Sequence, residues 1–364
     1  MLKFFRERSD IVIMAIVGLL LILGLAMVAS ASSSLSLKHF GNPYNYLNKQ
    51  LISVLVGIAA FVAGRFFPIK WLKKASFPLL LLNLGLLILT FTPLGGDFGT
   101  SYRWLDIGGF SLQPSELLKI TFIIYISAWL TSKSKNRKEN LSEGLIPFLI
   151  ICAIIGAILI AQPSTSILVI LLLSAGTIYF IGGLRFSFLA GLAGLAAVAI
   201  GVVILFSPYR FTRITTFLHP EADPQKSGYH INQALITIGS GGLWGVGYGR
   251  SVIKSSLPEP MNDSIFAIIA EEFGFIGSIL FISLYFLLIV AGLIGGLQTR
   301  NDFGKLMLVG FSAVIGFQTF IHIASISGLM PMTGVPLPFV SYGGTAIIVF
   351  MGIVGLMINA LKNA

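Results

Sequence analysis

Four carboxylates, Glu259, Asp263, Glu271 and Glu272, stand at the mouth and first turns of a long apolar stretch, in Leu257-Pro258-Glu259-Pro260-Met261-Asn262-Asp263 and the following Glu271-Glu272-Phe273-Gly274. Ionisable groups at membrane depth are costly and mark functional sites by default. A positioned carboxylate of this kind can take a proton from a hydroxyl nucleophile, and Asp263 is the best candidate for that base. On an ideal helix Glu271 would lie about 80° around from Asp263 and Glu272 about 180°, so Glu271 is the one expected to share its cavity. A second charged constellation is Arg103-Trp104, then Gln113-Pro114-Ser115-Glu116 with Lys119. Pro114 suits the first turn of a helix, and Glu116 and Lys119 are then neighbours on one helical face. Inside a membrane such a pair stays charged by mutual compensation in a polar cavity. The plainer alternatives are a structural ion pair fixing one span and, for Arg103-Trp104, an interfacial anchor.

Basic residues that could meet an anionic headgroup follow at Arg210, Arg213, Arg250 and Lys254, within a constellation that also holds His219, Asp223 and Gly228-Tyr229-His230. The glycine run Gly239-Ser240-Gly241-Gly242-Leu243-Trp244-Gly245-Val246-Gly247-Tyr248-Gly249 lacks the Gly-Lys-Ser/Thr of a nucleotide loop. It fits close packing or lipid-phosphate contact, packing being preferred. Gln162-Pro163-Ser164 reads equally as a turn at the membrane surface or a ligand contact. Between Gly328 and Thr345 three prolines and four glycines break the backbone, which membrane depth tolerates only inside protein or beside a cavity. His219, His230 and His322 match no metal-ligand spacing. No resident metal is therefore expected, at most a divalent cation (Mg or Mn) held through phosphate oxygens.

The elements that position these residues follow from composition. Hydrophobic residues make up 55% and charged residues 10% of the 364, against roughly 25% charged in a soluble domain. The chain reads as a single all-α polytopic membrane domain, 1–364. The single cysteine, Cys152, excludes an intramolecular disulfide and a CxxC metal site. At about twenty residues per crossing, ten apolar segments are expected: 11–31, 50–68, 76–93, 115–131, 145–162, 166–183, 186–206, 264–296, 306–326 and 341–361. Clusters of Lys and Arg recur at alternate loops, among them Arg65 to Lys74, Lys133 with Lys135, Arg137 and Lys138, Arg185, and Arg300 with Lys305. These place both termini in the cytoplasm. The net charge of +10 is then mainly a topology signal, with no sign of nucleic-acid binding. The outside receives Gly95 to Ser115 and a large loop between spans seven and eight, about 207–263, in which short interfacial helices are expected.

Taken in order, these motifs resemble the SEDS family (shape, elongation, division and sporulation), the FtsW and RodA group, from the first membrane segment to the last. The most specific block is Pro336-Leu337-Pro338-Phe339-Val340-Ser341-Tyr342-Gly343-Gly344. The resemblance implies a ten-span peptidoglycan glycosyltransferase of the bacterial cytoplasmic membrane that polymerises lipid II outside the cell membrane. It also implies a class B penicillin-binding protein as partner, among other divisome or elongasome membrane proteins. Asp263 matches the family's essential acidic residue, Glu116 and Lys119 its paired cavity charges, and Arg103 the arginine before its tryptophan. Arg210, Lys254, Glu271 and Ser341 complete the substrate-binding candidates. The chain departs from the family pattern at Met261-Asn262, at Ser264 where Phe is usual, at Ser164 where Asp follows Gln-Pro, and at His322 in place of Asn. Direct displacement with one base predicts inversion at the anomeric carbon, whereas retention needs a second carboxylate, for which Glu116 or Glu271 would serve. Two other readings stand beside this one, a lipid II flippase and a non-catalytic scaffold. The Leu257-Pro258-Glu259-Pro260 run and the short cytoplasmic N-terminus lean toward the division type.

Overall fold

A computed structural model of the protein describes residues 2–93, 95, 102–108, 110–132, 146–183, 186–222 and 228–363. Lys133, Lys135, Arg137, Lys138, Arg185 and Asp223, named above, lie outside them. The described elements, in chain order, begin with α1 (Leu2–Phe40), α2 (Asn45–Phe66) and α3 (Ile69–Leu89), followed by strands β1 (Leu105–Ile107) and β2 (Phe110–Leu112). Helices α4 (Pro114–Leu130), α5 (Ile146–Ala161), α6 (Thr165–Ile181), α7 (Phe186–Leu205), α8 (Pro208–Leu218) and α9 (Tyr229–Ser240) come next. The chain closes with α10 (Ile265–Gln298), α11 (Asp302–Ile326) and α12 (Gly344–Asn363).

Six of the described helices are long and apolar enough to cross a bilayer alone: α1 from Arg8, α2, α3, α10, α11 and α12. Helices α5 and α6 are shorter apolar helices, and the Ala197–Leu205 end of α7 meets α8 at 101°. The all-α expectation takes one correction. Leu105 pairs with Leu112 in an antiparallel hairpin, turned through Gly108 at φ +61°. Three-residue strands carry too little alternation to be read from sequence.

Burial sorts the helices into layers. The most apolar windows of α11 and α12 are 78% buried, against 22% for α2 and 28% for α3, so α11 and α12 form the centre and α2 and α3 lie at the periphery. Missing side chains bring α2 and α12 together: a Cβ at Gly355 would lie 2.2 Å from the Phe61 carbonyl oxygen, and one at Gly64 would lie 2.9 Å from that of Gly352. In lipid, where apolar burial drives little association, such close approach is what packs helices.

Helix α10 is broken at Gly274 (φ 69°, ψ −168°), and the glycine run after α9 repairs the break. Val246 N–H donates to the Glu271 carbonyl (2.9 Å), Gly247 N–H to that of Glu272 (3.0 Å), and Phe275 and Ile276 donate to Gly242 and Leu243. The backbone groups that the break would orphan are thus paired. Close packing is what the glycines provide here, since a Cβ at Gly241 would meet the Ala270 carbonyl at 2.1 Å and one at Gly245 that of Glu272 at 2.2 Å. Gly245 also sits at φ +80°. Gly245→Ala should therefore lower thermal stability in detergent by about 2 kcal/mol or more. Gly239→Ala, inside α9 with open space around it, should be neutral or slightly stabilising; equal melting temperatures for the two variants would contradict this account.

Candidate active site

Helices α2, α4, α6, α10 and α12 all begin around one cavity of about 770 Å³, whose lining includes Lys49, Glu116, Ser166, Asp263 and Gly344 from those five starts. Helix N-termini carry partial positive charge, so the convergence favours an anionic guest. The facing wall is the extended chain Thr333-Gly334-Val335-Pro336, and Arg103, Trp104, Ser111 and Gln113 enter from the hairpin side.

Asp263 lies in the turn ahead of α10, not on the helix. Removal from bulk water, reinforced by the charge of Glu259, raises its carboxyl pKa to about 6, while Arg213 and Arg103 act in the opposite sense. Gly334, at φ +66°, leaves room for it, since a Cβ there would lie 3.3 Å from Asp263 Oδ2. The loop carrying Asp263 is tied to the segment before α12. Tyr342 N–H donates to the Met261 carbonyl (2.9 Å), and Ser341 Oγ donates to the Asn262 carbonyl (2.8 Å) while accepting from Leu337 N–H (2.8 Å). Within the loop, Asn262 Nδ2 donates to Glu259 Oε2 (2.8 Å).

Arg103 donates through Nε to the Gln162 carbonyl (3.1 Å) and through Nη2 to that of Pro163 (2.6 Å). The Gln162-Pro163 turn is therefore the seat of this guanidinium, and Gln162 is itself held by Thr90 Oγ1 (2.7 Å). Burial lowers the Arg103 pKa, and Tyr209 and Asp263 draw it back up; an arginine stays charged throughout. Lys119 Nζ lies 2.7 Å from both Glu116 oxygens and 2.6 Å from Gln318 Oε1. Gln318 passes the chain on, donating to the Pro336 carbonyl (2.7 Å). Glu116 reaches the cavity, whereas Lys119 is fully buried behind it.

The remaining candidates are placed elsewhere. Glu271 accepts from Ser251 Oγ and from Val252 N–H, and Glu272 accepts from Ser30 Oγ on α1. Neither lines the cavity. The expectation for Glu271 rested on a helix running through Asp263, and α10 starts only at Ile265. Arg210 donates to the Ile160 carbonyl (2.7 Å) and Lys254 to that of Gly249 (3.0 Å), both outside the cavity lining. The Ser341 hydroxyl is occupied in the backbone tie described above. Arg213 is closer to the chemistry: it donates to the Met332 carbonyl (3.0 Å) and its charge is felt by Asp263. Sequence reading missed Lys49 and Gln318. Lys49 is an ordinary basic residue near a helix start, while a lone Gln318 four residues before His322 in an apolar helix was a visible signal. Among the described residues no three His, Cys, Asp or Glu side chains form a metal cluster.

Residues 10–364 match the FtsW/RodA/SpoVE sequence family, described as cell cycle protein. The chain belongs to this family. It is 34% identical over 361 residues to the probable peptidoglycan glycosyltransferase FtsW of Trichlorobacter lovleyi, covering 98% of this chain and 94% of the relative. It is 36% identical to the protein of the same name from Coxiella burnetii, covering 93% and 92%. Among solved structures it resembles a chain from work on the structural coordination of polymerization and crosslinking by a peptidoglycan synthase complex, with TM-score 0.79 and 25% identity over 96% of this chain and 97% of that one. Thermus thermophilus rod shape determining protein RodA shares the fold, with TM-score 0.71 and 23% identity over 96% of each chain. Family membership and the apolar helices together make this a multi-pass membrane protein.

The buried Glu116–Lys119 pair generates a stability test. Lys119→Met leaves Glu116 buried without its counter-charge and should cost about 3–5 kcal/mol, whereas Lys119→Met combined with Glu116→Gln should recover most of that. Melting curves in detergent that show the two losses simply adding would argue against a compensated pair.

Proposed function

We propose that the chain is a peptidoglycan glycosyltransferase that polymerises lipid II at the outer face of the bacterial cytoplasmic membrane. In this reading the chain is one domain with ten crossings, both termini are cytoplasmic, and the stretch 207–263 is external. A class B penicillin-binding protein supplies cross-linking. The observation that carries the proposal is Asp263, a carboxylate of raised pKa facing a cavity that also presents Lys49 and Arg103. The names of the relatives support it.

The chemistry needs a base and an anion site. Asp263 takes the proton of the acceptor sugar hydroxyl as its oxygen bonds to the anomeric carbon of the donor. The bond from that carbon to the lipid diphosphate breaks, and the diphosphate leaves with the electron pair, stabilised by Arg103, Lys49 and the converging helix starts. A divalent cation would be held by Glu259 with substrate phosphate oxygens and would add charge neutralisation there. Glu116 is compensated by Lys119 and Glu271 stands outside the cavity, so neither offers the free second carboxylate that retention requires. Glu259, the other carboxylate beside Asp263 on the cavity wall, is assigned here to the diphosphate side, and on that assignment the reaction inverts. The polar lining gathers at helix starts on one face, which supports an enzyme at the outer surface over a flippase.

Asp263→Asn and Asp263→Ala should cut glycan synthesis from labelled lipid II by at least about 100-fold while the protein stays folded; robust polymer from both variants would sink the assignment. The base works only as a carboxylate, so the rate should climb as pH rises through about 6 and level off above. Glu259→Gln removes a charge that raises this pKa, so its midpoint should move to lower pH; an unmoved or upward-moved midpoint in the pH–rate profile would count against the pairing.

A further inference from the structure

Ser264, the residue after Asp263, is fully buried, and its hydroxyl makes two hydrogen bonds. It donates to the Pro258 carbonyl (2.7 Å) and meets Nε2 of His230 at 2.7 Å. A serine hydroxyl has one proton. With that proton directed at Pro258, which can only accept, the Ser264 oxygen must accept from His230, so Nε2 carries the hydrogen. Burial, aided by the charge of Arg213, lowers the His230 pKa, so the ring is neutral near pH 7 and its one N–H is the one spent on Ser264.

The consequence is mechanical. Pro258 and Ser264 are the two ends of the loop that carries Glu259 and Asp263, and the Ser264 hydroxyl draws those ends together; Ser264 N–H adds a bond to the Glu259 carbonyl (3.2 Å). His230 sits in the first turn of α9, beside Tyr229, whose hydroxyl donates to the Ser256 carbonyl (3.0 Å). The other end of α9 runs into the glycine loop clamped on α10, so the start of α9 is a fixed jaw. From the opposite side the loop is gripped by Ser341 and Tyr342.

We propose that His230 is a positioning residue for the Asp263 base: acting through Ser264, it holds the Pro258-to-Ser264 loop closed and so fixes where the carboxylate meets the acceptor hydroxyl. The inference rests on the transferase reading above. A base displaced by a fraction of an ångström loses turnover while the rest of the cavity still binds donor.

The test uses the full-length chain with its cognate class B penicillin-binding protein and fluorescent lipid II. His230→Ala should lower kcat about tenfold with KM within about twofold. His230→Gln, which keeps an N–H donor, should return to within about threefold of the native rate. His230→Ala combined with Ser264→Ala should be no slower than Ser264→Ala alone, because both act on one tie. Native turnover in His230→Ala, failure of Gln to rescue, or multiplying losses in the double variant would each overturn the proposal. Should melting curves show that His230→Ala does not fold, His230→Leu, which fills the site without a donor, takes its place alone and with Ser264→Ala, and the same outcomes overturn the proposal. A native chain that makes no polymer would instead bring down the transferase reading, and Asp263→Asn marks the inactive baseline.

Discussion

Irregular backbone buried among membrane-spanning helices must find its hydrogen-bond partners in protein, because lipid offers none. The segment between α11 and α12 imposes that demand, and much of the chain is arranged to meet it. Its three prolines, Pro331, Pro336 and Pro338, remove three N–H donors from the account, so carbonyl oxygens outnumber the N–H groups there. Donors arrive from distant elements. Gln318 and His322 of α11 reach Pro336 and Val335 (both 2.7 Å), Tyr285 of α10 reaches Pro338 (2.6 Å), and Ser166 of α6 reaches Thr333 (3.0 Å). Gln50 of α2 donates to the Ser341 carbonyl and accepts from Gly343 N–H. Even α1 contributes by absence: Gly24 leaves room for the carbonyl of Phe339, a non-glycine residue held at φ 67°. Strain of this sort persists only where the surroundings over-determine it.

The cavity takes its shape from the same segment. Asp263 faces Gly334, its loop hangs from Ser341 and Tyr342, and the buried pair on α4 is linked to Pro336 through Gln318. The acidic side of the site and the basic side thus share one rigid reference. Arg103 is held by the Gln162-Pro163 turn just ahead of α6, whose Ser166 donates to the Thr333 carbonyl of that segment (3.0 Å). A low-dielectric setting makes each of these charges count for more than it would in water, which is why small differences in placement matter.

How much of this could be read from the sequence depended on whether the signal was local. Apolar runs announced the helices, and Glu116 with Lys119 announced their pairing because three residues on a helix suffice to bring side chains together. The acidic turn at Asp263 and the proline-glycine segment were visible for the same reason. Geometry set by other elements was not visible. Glu271 was misplaced because the helix starts two residues after Asp263, and the break at Gly274 depends on a loop thirty residues upstream. The hairpin was too short to leave a pattern. Lys49 and Gln50 look unremarkable until α2 and α12 are placed side by side.

The ties to residues 332–338 end almost entirely on backbone oxygen, and a carbonyl is the same acceptor whichever residue bears it. Hydrogen bonding therefore places little restriction on side-chain identity along this stretch, leaving volume, proline and glycine as what drift there must respect. The donors carry the opposite burden: Gln318, His322 and Tyr285 hold specific chemistry in helices that would otherwise accept any apolar residue. What the donor side must keep is a hydrogen-bond donor rather than one residue type, as His322 does where the family pattern has Asn, while the acceptor side keeps Pro336 and Pro338 for the backbone shape they impose.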